Sequence, residues 1–329
     1  MHLNFNQKLN FTYDLLIMVN RRHIRIKIMQ SIYAVLQSKD EDLKKEEKFL
    51  LFSVQKAIDL YVLQLSLLVE VKNLAFEHLE IKKKKHLATS DDINPSLKFI
   101  QNKVILAIEN SSEINEYIEK KKLNNWKNDR EYVRVILDKL QESDRYNEYI
   151  GSNESSLNQD KVFITSIFKE IIAPNEKLFD YYESQNLSWV DDFPLVNSMI
   201  VKSIKELRND NLFRLEKINV KSDDREFLVD LFRKTILHHH EFISDIDEKT
   251  PNWDAERIAE IDLILIKMAI VEFLYFPSIP TKVTINEYIE IAKDYSTAKS
   301  SYFINGVLDK LLKDYNKSKR LHKIGRGLL

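Results

Sequence analysis

The chain has 329 residues, with 50 Lys and Arg against 51 Asp and Glu, and is 44% hydrophobic and 31% charged. That length suggests about two domains, and that balance fits a soluble folded protein and not a disordered one. A formal charge of −1 excludes attraction of a polyanion by a global field, and the absence of cysteine excludes disulfides, thiolate metal sites and a Cys nucleophile while suiting a reducing cytoplasm.

Residues 1–19 form an N-terminal extension; Asp14 and the Asn residues interrupt its apolar stretch, so no export signal is expected. A helix is predicted over 21–37, with Asn20 as its cap and Ile24, Ile28, Ile32 and Val35 as one apolar stripe. Its opening carries Arg21, Arg22, His23, Arg25 and Lys27 and no acid. A helix amino terminus is already positive, and each cation there costs roughly 0.3–1 kcal/mol unless an anion answers it. RNA or DNA phosphate would answer it, because Arg suits bidentate phosphate contacts; the plainer alternative is a solvated basic helix start.

A long helical pattern over 46–87 ends in the lysines 82–85 and His86, where cations complement the helix dipole. Further helices are predicted over 95–124, 129–148, 158–172, 175–186 and 194–209. Gly151–Ser156 is the internal linker candidate, and the prolines at 95, 174, 194, 251, 277 and 280 act as punctuation. Four glycines and no alternating apolar pattern bounded by hairpin turns make the class all-α.

From 222 the pattern sharpens. Asp223 or Asp224 caps a helix whose Leu228, Leu231, Thr235, His239, Phe242 and Ile246 share one side. A core helix is predicted over 254–276; Glu260, Asp262, Lys267 and Glu272 within it argue against a membrane span. Thr284 and Glu287 fit a capping box, with Val283 and Tyr288 as a hydrophobic staple. The last helix offers Phe303, Ile304, Val307, Leu308, Leu311 and Leu312 as its apolar face. Gly306 within it is expected to meet a close neighbour. The basic tail 316–329 either attracts phosphate unspecifically or stays solvated.

The stretches Arg257–Leu263, Ile279–Lys293 and Phe303–Lys310, in this order and spacing, resemble the NusB family, and the basic opening with Gln30 and Tyr33 is similar to that family's arginine-rich first helix. The resemblance implies a NusB-like helical bundle built from 20–38 and 219–315, with 39–218 as an additional helical insertion. It further implies an RNA-binding factor of the cytoplasm that pairs with the ribosomal small-subunit protein NusE and binds boxA-type single-stranded RNA. With the transcription elongation complex it would support antitermination on ribosomal RNA operons; it would not be an enzyme or a membrane protein and would need no cofactor. RNA contacts would fall on Arg21, Arg22 and Arg25, with His23 where a further Arg is common and Lys27 as an added charge. Lys299, at a position that is acidic in some relatives, and Tyr302, as a stacking platform, would complete the RNA-binding set; Phe303 fits the core better.

Catalytic and metal patterns are not found. Successive helical residues diverge, so His238, His239 and His240 do not converge on one ion, and the Asp pairs at 91/92, 191/192 and 223/224 fit helix starts. No phosphate-binding glycine loop occurs. Two other readings remain: a helical protein-interaction scaffold, and the NusB-like accessory domain of an rRNA methyltransferase, which would need a glycine-rich cofactor domain after residue 315.

Overall fold

The computed structural model describes residues 21–38, 42–84, 93–208, 213, 215, 222–249 and 258–328. Asn20 as a cap, the extension 1–19, the end of the lysine run at 85–86, Asp91, Asp92 and the segment 251–257 lie outside these residues. Fifteen α-helices and no strands occur among the described residues, so the protein is all-α. In chain order they are α1 Arg21–Ser38, α2 Leu43–Lys83, α3 Lys103–Glu109, α4 Ser112–Lys121, α5 Asn125–Asn128, α6 Arg130–Glu142, α7 Asp144–Gly151, α8 Leu157–Ile167, α9 Glu176–Gln185, α10 Trp189–Glu206, α11 Ser222–Leu237, α12 Glu241–Asp247, α13 Glu260–Tyr275, α14 Thr281–Tyr295 and α15 Ser300–Lys317. A π-helical turn, Phe168–Ile172, prolongs α8, and a 3-10 turn, Gly325–Leu328, closes the chain.

Two compact units emerge, Met1–Val54 with Val220–Leu329, and Gln55–Asn219. The first edge of the insertion therefore lies within α2 and not at 38/39. By length and composition alone α2 could cross a membrane, but 72% of its apolar window is buried in the fold, as befits a core helix.

In the second unit, polar side chains break the long predicted helices. Asn102 Oδ1 accepts from the Val104 and Ile105 amides and starts α3; Ser111 Oγ accepts from Ile114 N and starts α4, so 95–124 is two helices. Ser143 likewise caps α7 through Tyr146 N and splits 129–148. Such local bonds compete with helix continuation. Gly151 ends α7 and residues 152–156 form the loop to α8 inside this unit, so this stretch is not a linker between domains. Pro194 sits inside α10, which begins five residues earlier because the Trp189 ring is buried and its Nε1 donates to the Lys56 carbonyl at 2.8 Å. Three tyrosine hydroxyls fasten helices by donating to carboxylates: Tyr117 to Asp59, Tyr149 to Asp160, and Tyr181 to Asp129, at 2.6, 2.6 and 2.7 Å. Each of these hydroxyls also accepts from a side-chain amide, of Gln55, Asn102 and Asn125 respectively.

The first unit is built around α13. Ile264, Leu265, Ile266, Met268, Ala269, Ile270, Val271 and Phe273 are all buried, so this helix is covered on every side. The neighbours that cover it are α1, α11, α14 and α15. Each of these side chains larger than Ala269 contributes about 1.5–3 kcal/mol by leaving water.

Four local expectations are corrected here. Helix α14 starts at Thr281, so Thr284 is not a cap: it is buried, and its hydroxyl donates to Glu272 at 3.0 Å. The staple fails with it, since Val283 is exposed while Tyr288 is buried. The stripe from Leu228 to Ile246 is two helices, because residues 238–240 form a turn between α11 and α12. Gly306 is exposed, and nothing lies within 4 Å of where its Cβ would stand. Gly306→Ala is therefore expected to stabilise the first unit by about 1 kcal/mol through helix propensity, read as slower hydrogen exchange in α15.

The basic tail is docked at Lys323, Ile324 and Gly327, while Lys317, Lys319 and Arg326 are exposed as expected of a solvated tail. Lys323 Nζ donates to the Glu272 and Phe276 carbonyls at 3.0 and 2.9 Å, capping the carboxy end of α13, where a cation is favoured. Ile324 N donates to the Pro277 carbonyl at 3.1 Å. A Cβ on Gly327 would fall 1.9 Å from that same oxygen, so no side chain fits there.

Within the turn, His239 Nε2 lies 3.1 Å from Lys267 Nζ. Burial, then Lys267 and His240, pull the His239 imidazole down to about 4. Unfolded histidine protonates near its ordinary 6.5, so between these values the unfolded chain binds more protons and stability falls as the pH falls. The thermal midpoint of the first unit is expected to drop through that window, and His239→Gln to remove part of the drop.

Candidate nucleic-acid interface

Helix α1 packs against α11, α13 and α14, and these three helices supply the acids that its opening turn lacks. Arg21 Nε donates to Asp224 Oδ1 at 2.9 Å. Arg22 forks onto Glu287, Nε to Oε2 at 2.9 Å and Nη2 to Oε1 at 3.0 Å. Arg25 forks onto Glu272, Nε to Oε1 at 2.6 Å and Nη2 to Oε2 at 2.9 Å, with Glu287 Oε2 a further 3.8 Å from its Nη1. Uncompensated charge, the premise of the sequence argument, is corrected: the compensation comes from residues more than two hundred positions away.

Exposure sorts the predicted residues into two groups. Arg25, His23 and Lys27 are 2%, 3% and 1% exposed, so their assignment as RNA contacts is corrected; they belong to the interior of this fold. Arg25 shares a helix face with Ile28 and Ile32, three and seven residues on, and follows them into the core. Arg21 and Arg22 keep 43% and 41% of their side chains in solvent. Lys299, the residue preceding α15, is exposed, and Tyr302 in the first turn is 82% exposed. Phe303 is half-buried.

The Arg25 cluster is a closed polar knot. Besides the fork, Glu272 accepts from Tyr288 Oη at 2.7 Å and from Thr284 Oγ1 at 3.0 Å. Burial alone would pull the Arg25 guanidinium down, but the Glu272 carboxylate more than reverses this, and the net shift is upward. Burial and the same carboxylate push the Tyr288 hydroxyl well up, so it remains a donor. Phe227 of α11 lies under two guanidinium groups, 4.9 Å from Arg21 and 5.2 Å from Arg25. These contacts join α1, α11, α13 and α14.

Sequence reasoning missed Glu272, Glu287 and Asp224. One signal was available: Glu272 stands in a helix apolar on all sides, where a carboxylate needs a buried cation.

The second group lies at helix starts. Hydrogen bonds among Ser296, Thr297 and Ser300, with Ser296 Oγ donating to Asp262 at 2.6 Å, fix the corner between α14 and α15. That corner presents Lys299 and Tyr302. Arg22 is drawn upward in pKa by its hydrogen bond to Glu287, against burial, and by the charges of Glu287, Glu290 and Asp294. Glu287, Glu290 and Asp294 follow one another along α14 toward the corner that precedes Lys299.

Fold and site together define the class, a helical-bundle domain with a second helical unit set into its chain. The NusB family model matches residues 191–313, and the chain belongs to the NusB family. It is 46% identical over 105 residues to the transcription antitermination protein NusB of Salinibacter ruber, an alignment covering 32% of this chain and 66% of that one. The protein of the same name from Chloroherpeton thalassium is 42% identical over 105 residues, 32% of this chain and 50% of that one. That of Finegoldia magna is 39% identical over 95 residues, 29% of this chain and 69% of that one. This chain thus spans half to about two thirds of these relatives' lengths. No solved structure matches. The matched stretch opens inside α10, in the second unit, and leaves α1 out, although the arginines of α1 are built into the matched helices α13 and α14.

Proposed function

We propose that this chain is an RNA-binding transcription antitermination factor of the cytoplasm. It would take boxA-type single-stranded RNA together with the ribosomal small-subunit protein NusE, within the transcription elongation complex on ribosomal RNA operons. It binds and does not catalyse. The observation that carries this reading is the membership in a family whose relatives are named for antitermination, joined to exposed Arg21, Arg22, Lys299 and Tyr302 on two helix starts.

Cations at these positions sit where helix amides already point outward, and a phosphate there would gain from both. Such contacts position a strand without reading it. Tyr302, projecting into solvent, offers a face on which an unpaired base stacks. The part-exposed ion pairs of Arg21 and Arg22 contribute only about 0.2–1 kcal/mol each, little enough for phosphate to replace them.

The test is affinity of the full chain for a short boxA-type RNA, with and without NusE, across a salt series. Affinity that falls linearly with salt on logarithmic axes and rises with NusE supports the reading. Binding of NusE without RNA affinity at any salt would overturn it in favour of a protein-interaction scaffold. Arg25→Glu is not a fair probe of the RNA site, because it sets two carboxylates face to face in the core.

A further inference from the structure

Arg22 is held by a carboxylate in the manner in which arginine holds a phosphate. The Nε and Nη2 hydrogens form one planar two-donor edge of the guanidinium, and Glu287 occupies both at 2.9 and 3.0 Å. The pair is not a buried structural element: its side chains are 41% and 22% exposed, whereas those of Arg25 and Glu272 are 2% and 0%. Glu290 and Asp294 add two negative charges that also act on Arg22. Glu290 is engaged by Lys293 at 2.5 Å, so Glu287 is the acid on this face that bonds Arg22 directly. Arg25 has its own buried partner in Glu272 at 2.6 and 2.9 Å, and Glu287 stands farther from it at 3.8 Å.

We infer that Glu287 is an intramolecular stand-in for phosphate, which closes the Nε–Nη2 fork of Arg22 in the free protein and must be displaced before an RNA strand can use that fork. The inference rests on the RNA-binding reading above. Two carboxylate- or phosphate-sized anions cannot share the Nε–Nη2 fork, so the strand gains that bidentate contact only by breaking a pair of exposed-type strength. The device lowers affinity for any phosphodiester, and so selects strands that also supply a base for Tyr302 or a partner protein to compensate.

The experiment compares Glu287→Asp, Glu287→Gln, Glu290→Gln and Arg22→Ala in the full chain, using a labelled boxA-type RNA at one salt concentration and thermal unfolding to show that each variant is folded. Aspartate keeps the charge but is one methylene too short to reach the fork. The inference expects both Glu287 variants to bind roughly two- to fivefold more tightly, Glu290→Gln to change less, and Glu287→Asp to have no effect in an Arg22→Ala background. If Glu287→Gln and Glu290→Gln tighten binding equally while Glu287→Asp does not, acidic repulsion is general and the stand-in is overturned. If no Glu287 variant binds more tightly while Arg22→Ala weakens binding, the stand-in fails and the RNA site survives. If Arg22→Ala leaves affinity unchanged, Arg22 is no RNA contact and both fail.

Discussion

Arg25→Met is expected to cost the first unit about 3–5 kcal/mol, because it leaves the fully buried Glu272 carboxylate without its cation. Tyr288 and Thr284 would still donate to it, but two neutral donors do not replace a forked guanidinium. Arg25→Lys should recover only part of the loss, since an ammonium cannot span both oxygens in one plane. Adding Glu272→Gln to Arg25→Met should restore much of the stability: the unpaired charge is gone, the amide oxygen accepts from one of the two hydroxyls, and the amide nitrogen donates to the oxygen of the other. Hydrogen exchange of α1 and α13 amides reports this transition directly, because the knot joins those helices. Unchanged protection in Arg25→Met would show that the knot does not hold α1 in place.

Tyr302→Ala should weaken binding of a boxA-type RNA roughly five- to a hundredfold, the range for one base stacked on an aromatic ring. Its ring is 82% exposed, so little packing is lost and the unfolding transition should not move. Tyr302→Phe should bind almost as well as the parent, since stacking needs the ring and not the hydroxyl. Alanine at Arg21, Arg22 or Lys299 should act differently: each should weaken binding at low salt and reduce the salt dependence by about 0.7 per phosphate contact removed. An affinity that Tyr302→Phe lowers as far as Tyr302→Ala does would point to a hydrogen bond from the hydroxyl in place of stacking.

The helices were largely legible in the chain, because their signals are local. The stripe of Ile24, Ile28, Ile32 and Val35 gives α1 as it stands, and all four side chains are buried. Ends were harder. The side chains of Asn102, Ser111 and Ser143 stop or start helices inside patterns whose apolar spacing runs on, and a cap is a single hydrogen bond that periodicity does not register. A capping box at Thr284 had the right residues and the wrong role, since Thr284 is claimed by Glu272 on another helix.

The site was legible as a cluster and illegible as geometry. Arg21 to Lys27 are adjacent in sequence, yet helical rotation sends Arg25 inward beside Ile28 and leaves Arg21 and Arg22 at the surface. Their carboxylate partners lie on three helices far along the chain, and a charge count of neighbouring residues contains none of them. Family resemblance supplied the expected chemistry of the opening helix; it did not distinguish the arginine buried in the fold from the two whose ion pairs lie at the surface.

Ultraviolet crosslinking of the full chain to a boxA-type RNA, with the attached peptides mapped by mass spectrometry, tests the division of these residues most directly. Crosslinks at Tyr302 and at the peptide carrying Arg21 and Arg22, with none in residues 55–219, are predicted. Crosslinks confined to the second unit, with Tyr302 unmodified, would contradict it.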